Sequence, residues 1–274
     1  MTTSQVERAQ RFQALHKGPE PFIIANAWDA GSARILAGLG FAALATSSGA
    51  AAGTLGRRDG TMTRQEALAH SRTLAAATDL PVSADLEKGF GDSPGAVATT
   101  IRLVAETGLV GASIEDATGD RTNPLFAFGD AVARVAAAVA EARKLAFPFM
   151  ITARAENFLR GNPDLDDTIR RLQAFEAEGA DVLMAPGLPD LAAVERVCAA
   201  LTRPFNFMAG MPGRSFPLAA LAKAGVKRVS LATSLYRAAM SGLVASAREA
   251  LDQGTFGYVD RSMKTSEIND LMKN

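Results

Sequence analysis

The chain has 274 residues, 48% of them hydrophobic, and its 29 basic residues balance 29 acidic residues. A chain without net charge has no electrostatic field to attract nucleic acid or an anionic membrane, so neither partner is expected. One cysteine excludes an intrachain disulfide, no apolar run has the roughly 18 residues of a membrane helix, and the first residues lack a signal peptide's apolar core, all of which favours a cytoplasmic protein.

The hydrophobic pattern predicts an amphipathic helix over residues 4–17 and then eight repeats of a short apolar strand, a loop and an Ala-rich helix. The predicted strands are 22–25, 42–46, 82–85, 110–115, 149–153, 182–184, 205–208 and 228–231. The helices predicted after them include 29–39, 64–78, 94–106, 130–144, 164–178, 188–200, 217–224 and 234–252.

Eight strand–helix units with no linker between them predict a single α/β domain over residues 1–274. We expect a (β/α)8 TIM-type barrel with an N-terminal helix and a C-terminal helical extension over about 234–274. An open, doubly wound sheet is the alternative, but eight evenly spaced units suit a closed barrel better.

Two carboxylates, Asp85 and Glu87, end the third predicted strand beside Gly89. Residues i and i+2 of a strand lie on one face, so the two acids repel each other unless a cation lies between them. A solvated strand end is the alternative, but the next predicted strand also ends in an acid, Glu115. Mg²⁺, or Mn²⁺ in its place, suits such oxygen ligands. Asp85 is the best direct ligand, and Glu87 and Glu115 suit contact through bound waters.

In a barrel, chemistry belongs at the carboxyl ends of the strands. Polar residues are predicted there on most of the strands: Asn26, Trp28, Thr46, Ser47, Ser48, Gly49, Asp85, Glu87, Glu115, Arg154, Glu156, Asn206 and Thr233. A convergence of acids, an arginine and hydroxyls predicts an active site there.

Arg154 offers a bidentate fork for a substrate carboxylate, or else pairs with Glu156 or Glu115. The segment after the second strand consists of Thr46, Ser47, Ser48 and Gly49. Its hydroxyls and backbone N–H groups could bind the other oxygen of a substrate carboxylate, or the segment could equally be only a turn of small residues. Asp59 lies in the loop beyond and could support the site, or pair on the surface with Arg57 or Arg58.

No histidine is well placed as a base, since His16 precedes the first strand and His70 is expected on a helix surface. The sequence also lacks a phosphate-binding Gly-Lys-Ser/Thr loop and a dinucleotide fingerprint. Metal polarisation and electrostatic stabilisation of an enolate remain, and both suit a 2-oxo acid substrate.

These segments together resemble the isocitrate lyase/phosphoenolpyruvate mutase superfamily, over about residues 21–240. The matching segments are 26–33, 48–59, 85–91, 113–116 and 153–157. The resemblance implies a (β/α)8 barrel, Mg²⁺, substrates built on pyruvate, oxaloacetate or phosphonopyruvate, and tetramers that exchange the last barrel helix. It implies the following roles: metal binding by Asp85, support from Asp59, Glu87 and Glu115, and substrate binding by Arg154 and Ser47.

The loop after Glu115 departs from the lyases of this superfamily, whose Lys-Lys-Cys-Gly-His loop supplies a Cys that protonates the departing enolate. Here residues 117–124 contain no Cys and no His. They look more like the mutase and phosphonopyruvate hydrolase branch, where Lys-Thr-Asn closes over a phosphoryl group. Arg121 and Asn123 stand at that position, so both are predicted to act on the substrate. The alternative is an exposed turn in which Arg121 pairs with Asp120 or Asp116.

The predicted function is a Mg²⁺-dependent lyase or mutase that forms or breaks a C–C or P–C bond of a small 2-oxo carboxylate through a metal-stabilised enolate. A 2-oxo acid binding protein that has lost catalysis is the alternative, and a class II pyruvate aldolase is a third possibility. A homo-oligomer, a tetramer or a dimer, is expected, because the last long helix has a small apolar face that suits packing against another subunit, although it could equally pack on its own barrel. The face comprises Leu235, Ala238, Ala239, Leu243 and Ala247.

Overall fold

The computed structural model describes residues 3–272 and shows a closed barrel of eight parallel strands in sequence order. The strands are β1 (Phe22–Asn26), β2 (Leu44–Ala45), β3 (Val82–Asp85), β4 (Gly111–Glu115), β5 (Met150–Arg154), β6 (Val182–Met184), β7 (Phe205–Met208) and β8 (Arg228–Ser230). Because β1 also pairs with β8, no strand edge is left open, and the predicted (β/α)8 barrel is confirmed.

Helices surround the barrel and extend it at both ends. They are α1 (Gln5–Lys17), α2 (Ala30–Gly38), α3 (Ser48–Thr54), α4 (Arg64–Ala77), α5 (Pro94–Ala105), α6 (Phe128–Ala142), α7 (Leu165–Ala177), α8 (Leu191–Ala199), α9 (Leu218–Lys223), α10 (Ser234–Arg248), α11 (Tyr258–Arg261) and α12 (Thr265–Leu271). Several begin where the sequence supplies a cap. Ser93 caps α5 with Pro94 at its first position, and Ser4 forms a capping box with Glu7 in α1.

The sequence does not predict helix α3 and places its residues in a long loop. Ser47 caps it by accepting a hydrogen bond from the N–H of Ala50, so the segment 46–49 is the entry to a helix and not a turn of small residues. The run from Ser48 to Thr54 contains only small residues and therefore has no apolar period to read. Strand β2 is shorter than predicted, although Thr46 still donates to the carbonyl of Ser83.

Helix α1 closes the amino-terminal end of the barrel. Its Phe12 packs among residues at the deep end of the barrel, including Ile24, Met150 and Val182. His16 follows one turn later and is buried, with Nδ1 at 2.8 Å from the carbonyl of Phe12 and Nε2 at 3.2 Å from Arg228 Nη1. Because a carbonyl only accepts, Nδ1 carries the proton and Nε2 accepts from Arg228.

Burial and the neighbouring Arg228 charge lower the pKa of His16 from 6.5 to about 3. At a pH between these two values, the unfolded chain binds a proton at His16 that the folded chain does not. The contribution of neutral His16 to the free energy of unfolding is therefore fully present above pH 6.5 and falls as the pH drops below it. We expect His16 to contribute a slope of up to ~1.4 kcal/mol per pH unit to the free energy of unfolding. Urea denaturation of the wild type and His16→Gln between pH 5 and 7 measures it. Parallel slopes would contradict the assignment.

The C-terminal extension leaves much apolar surface uncovered. Helix α10 buries none of its residues, and it ends in a π-helical turn, Glu249–Gln253. Leu243 is 61% exposed, Leu251 85% and Phe256 64%. Helix α12 returns to α2, where a side chain at Gly38 would meet the backbone of Leu271. Within residues 3–272, none of the helices combines the length and apolar character needed to cross a membrane.

Candidate active site

A cavity of about 840 Å³ opens at the carboxyl ends of the strands. Most of the predicted site residues line it: Thr46, Ser47, Ser48, Gly49, Asp59, Asp85, Glu87, Glu115, Arg121, Arg154 and Asn206. The barrel brings these residues together from positions up to 160 apart in the chain (206 minus 46), because parallel strands end at one rim.

Two predicted residues, Trp28 and Asn123, do not line the cavity. The Trp28 ring packs edge-on against Tyr236, with ring centroids 5.5 Å apart. Its backbone carbonyl lies 2.8 Å from His70 Nε2, so His70 is half-buried and holds the loop after β1, where a surface position was expected. The structure therefore gives Trp28 no contact with the cavity.

Arg154 lies at the centre of the acidic groups. Its guanidinium contacts Asp85 Oδ1 at 2.9 Å, Glu115 Oε2 at 2.9 Å and Glu156 Oε1 at 2.8 Å. The alternative ion pairs with Glu156 and Glu115 are thus both present, and Asp85 adds a third. Burial acts to lower the pKa of Arg154, but these three carboxylates hold it above its usual value.

Glu156 and Arg160 belong to the same network; the sequence places Glu156 at this rim without a catalytic role and does not indicate Arg160 at all. Glu156 is fully buried, and Arg160 reaches Glu115 Oε1 at 3.0 Å and Glu156 Oε2 at 3.3 Å from the cavity mouth. The two residues are four apart just after β5, a spacing that places them together if the chain turns there as a helix would. This i, i+4 spacing is the sequence feature that could have indicated that the two side chains lie together.

Asp85 is held from three sides. Its backbone N–H donates to Thr46 Oγ1 at 2.8 Å, its Oδ2 accepts from the N–H of Ser48 at 3.1 Å, and its Oδ1 accepts from Ser113 Oγ at 3.4 Å. The Thr46 hydroxyl and the Ser48 N–H, predicted to bind a substrate carboxylate, therefore orient Asp85 in this arrangement.

Glu87 has an unusual environment. Its backbone has a φ of 51°, a left-handed conformation that is rare for a residue with a side chain, and its Oε1 is buried without a hydrogen-bond partner among the described residues. Burial, with the charges of Asp85 and Asp59, raises the pKa of Glu87 to about 7. Burial also raises the pKa of Glu115. When ionised, the carboxylates around the cavity outnumber Arg154 and Arg160, so without a cation Glu87 and Glu115 take up protons more readily than usual.

This excess fits a divalent cation, because a buried carboxylate oxygen without a donor is a free ligand position. Across residues 3–272, no three Asp, Glu, His or Cys side chains converge closely enough to hold an ion directly. A hydrated Mg²⁺ needs fewer direct ligands, since it keeps several of its waters. The residues present thus fit such an ion, with a free carboxylate oxygen on Glu87 and with Asp85 and Glu115 beside it. Both oxygens of Asp85 accept hydrogen bonds in this arrangement.

Asp59 approaches the site over Gly49. A Cβ at Gly49 would lie 2.9 Å from Asp59 Oδ2, so only glycine permits this approach. Arg57 pairs with Glu66, and no ion pair of Asp59 occurs in the part of the chain that the structure describes. The alternative surface pair with Arg57 or Arg58 is therefore not formed, and Asp59 faces the cavity.

The loop after β4 is a closed turn with Arg121 at its tip. An antiparallel bridge joins Ala117 to Leu125, and the N–H of Thr118 donates to the carbonyl of Pro124 at 3.0 Å. Lys88 Nζ, from the loop after β3, donates to the carbonyl of Thr118 at 2.7 Å. Arg121 is exposed, lines the cavity and has no ion pair with a described carboxylate, so the predicted alternative pairing with its acidic neighbours is not formed.

The closed parallel barrel and the acid-rich cavity at its carboxyl end define a (β/α)8-barrel enzyme. The family model described as phosphoenolpyruvate phosphomutase matches residues 12–251, and the chain belongs to that family. The protein is accordingly an enzyme of the lyase and mutase type.

Individual relatives agree with this assignment. A candidate lyase or mutase from Burkholderia cenocepacia J2315 is 49% identical and superposes with a TM-score of 0.96, covering 98% of this chain and 97% of that one. An oxaloacetate decarboxylase of Bradyrhizobium diazoefficiens is 31% identical over 72% of this chain and 69% of its own. A 2,3-dimethylmalate lyase of Eubacterium barkeri is 26% identical, covering 96% and 93%.

Proposed function

We propose that the protein is a Mg²⁺-dependent enzyme, with Mn²⁺ as a substitute, that breaks or forms the bond to C3 of a small 2-oxo carboxylate. One observation carries this proposal: Asp85, Glu87 and Glu115 face one cavity around Arg154, and their negative charge is not fully offset. The cavity thus contains, next to each other, acids that could bind a cation and an arginine that could bind a carboxylate.

Each residue has a distinct task in this proposal. Asp85 would hold the cation directly, and Glu87 and Glu115 would hold it through waters. When bound, the cation supplies positive charge for the carbonyl oxygen of the substrate and the enolate that follows. Arg154, whose guanidinium pairs with three acids in this arrangement, would bind the substrate carboxylate in exchange for one of these partners. Arg121 closes the mouth of the cavity and excludes water.

Oxaloacetate is the first substrate to test, because one relative at 31% identity is an oxaloacetate decarboxylase. In that reaction the C3–C4 bond breaks, its electron pair stays on C3 as the enolate, and C4 leaves as CO₂. The enolate then takes a proton and becomes pyruvate. The loop 117–124 has neither Cys nor His, so the proton would come from another group of the site, or from solvent once the mouth of the cavity opens.

The experiment is a panel of oxaloacetate, phosphonopyruvate and a 2-methylisocitrate-type substrate, assayed with and without Mg²⁺. For at least one substrate we expect turnover well above the metal-free rate: pyruvate with CO₂ from oxaloacetate, phosphoenolpyruvate or pyruvate with phosphate from phosphonopyruvate, or pyruvate with succinate from the 2-methylisocitrate-type substrate. The alternative function, a 2-oxo acid binding protein, is favoured by Arg154 filling the space between the acids. It predicts oxalate or pyruvate binding with no turnover of any substrate.

Arg121 provides a test of the loop. Because it faces the cavity without an ion pair among the described residues, we expect it to stabilise charge on the departing group. Arg121→Ala should then lower kcat by on the order of 10²-fold, as when one charge-stabilising donor is lost. Oxalate has no departing group and should bind nearly as in the wild type. Arg102→Ala, on the exposed face of α5, is the matched control. A kcat of Arg121→Ala equal to that of the wild type would show that the loop has no role in catalysis.

We also propose that the protein forms a homo-oligomer, a tetramer or a dimer, through its C-terminal extension. Helix α10 buries no residue in the single chain, and Leu243, Leu251 and Phe256 are exposed. Light scattering at micromolar concentration should give a mass of at least twice 28.6 kDa. Leu243→Glu together with Leu251→Glu should shift it toward the monomer, and a monomeric wild type would contradict the proposal.

A further inference from the structure

The guanidinium of Arg228 lies at the deep end of the cavity, its floor, among other lining side chains. Its side chain starts on β8, and its Nη2 donates to Thr152 Oγ1 on β5 at 2.9 Å, three strands away round the barrel. Its Nε donates to Asn206 Oδ1 at 2.7 Å, and its Nη1 donates to His16 from below. Thr152 precedes Arg154 by two residues, so the floor lies roughly 6–7 Å beneath the acidic network.

This guanidinium has no counter-ion. It is 4% exposed, and all three of its partners are neutral. No described carboxylate lies within ion-pair distance of it, whereas Arg154 above it has three. Burial alone lowers the pKa of Arg228 to about 9, which reflects a charge without compensation. A guanidinium carries five N–H donors, so two remain without a partner among the described residues.

The space facing Arg228 is open because small residues lie beneath the acids. Ser83 precedes Asp85 by two residues and Ser113 precedes Glu115 by two, so each serine points into the bore one step deeper than its acid. Both serines line the cavity, as does Arg228 itself. Barrel interiors are normally filled at this level by bulky branched side chains. Here the two serines leave a polar wall beside Arg228, while Ile24, Met184 and Met208 are among the other lining residues.

We propose that this floor is an anion subsite, in which Arg228 binds a small monoanion: a carboxylate group or a halide-sized inorganic ion. The site differs from the one at Arg154, whose charge is already shared among three carboxylates. The anion could be free in solution or could be a second carboxylate of the ligand in the cavity. Both sources present the same chemistry to Arg228.

The test uses sodium formate as the probe and the melting temperature of the whole protein as the readout, at ionic strength held constant with sodium HEPES. We expect a saturable rise in Tm for the wild type, because a ligand that binds only the folded state stabilises it. Arg228→Met should raise the half-saturating formate concentration at least 10-fold. A wild type without a saturable response, or an Arg228→Met variant that responds like it, would overturn the proposal.

Arg134→Met is the matched control. Arg134 is 1% exposed and also lacks a carboxylate within ion-pair distance among the described residues. Its N–H groups, however, donate to the carbonyls of Lys88, Gly91 and Asp92, and it does not line the cavity. Its loss should lower Tm without changing the formate response. An equal loss of response in both variants would show a general effect of removing a buried arginine and would overturn the subsite.

Two further measurements complete the test. If Arg228→Met does not fold, wild-type crystals soaked in bromide test the proposal: an anomalous peak beside the guanidinium is expected, and its absence overturns the subsite.

Saturating oxalate with Mg²⁺ distinguishes a free anion from a second carboxylate of the ligand in the cavity. A formate response abolished by oxalate means that the ligand's own carboxylate takes the floor, and a retained response means a free anion. Only this oxalate experiment rests on the proposed function.

Discussion

We expect Asp85→Asn to lose at least about 100-fold in Mg²⁺-dependent affinity for oxalate while the barrel stays folded. Changing residues that only orient metal ligands already costs 10- to 100-fold, and Asp85 is the one proposed direct ligand. Asparagine keeps the size of the side chain and can accept from the Ser48 N–H as Asp85 does. The loss should therefore come from the missing charge. Calorimetric titration of oxalate with and without Mg²⁺ measures it.

Asp59→Asn is the control for Asp85→Asn. Asp59 also lines the cavity and its charge also acts on Glu87, but it is not proposed to contact the cation directly. We expect it to lose much less affinity than Asp85→Asn. Oxalate binding to Asp85→Asn at wild-type strength would make the metal assignment wrong, whatever the effect on activity.

The second large effect is expected from Arg154→Met. This change leaves Asp85, Glu115 and Glu156 without their shared cation, and Glu156 is fully buried. Removing one partner of a buried ion pair typically costs about 3–5 kcal/mol, because a charge is left buried and unpaired. We expect a loss of this size in the free energy of unfolding by urea at pH 7 without Mg²⁺, together with loss of turnover. Mg²⁺ should restore part of the stability.

Arg160→Met separates this effect from a general loss of positive charge. Arg160 pairs with two of the same acids, Glu115 and Glu156, but its side chain is 38% exposed. Solvent screens such a pair, so its removal should cost no more than about 1 kcal/mol. Equal losses in the two variants would contradict a central role for Arg154 in holding the acids.

The barrel was predictable because its information is local. Each strand is a short apolar run, each helix has its own period, and eight alternations leave few ways to close the sheet. Asp85, Glu87 and Glu115 could be placed at the same rim for the same reason, since each ends a recognisable strand. Helix α3 was missed because its run of small residues from Ser48 has no apolar period.

The partners of each charge were decided only by the tertiary structure. The sequence by itself placed Arg154 near acids but left its partner open, and it gave Arg228 no role at all. Which groups meet depends on strand register and on side chains that reach across the bore, as Arg228 reaches Thr152 from three strands away. These contacts join residues 76 positions apart, and no local period encodes them. The sequence therefore determined the barrel and its acidic rim, and only closure of the barrel determined the ion network and the charged floor.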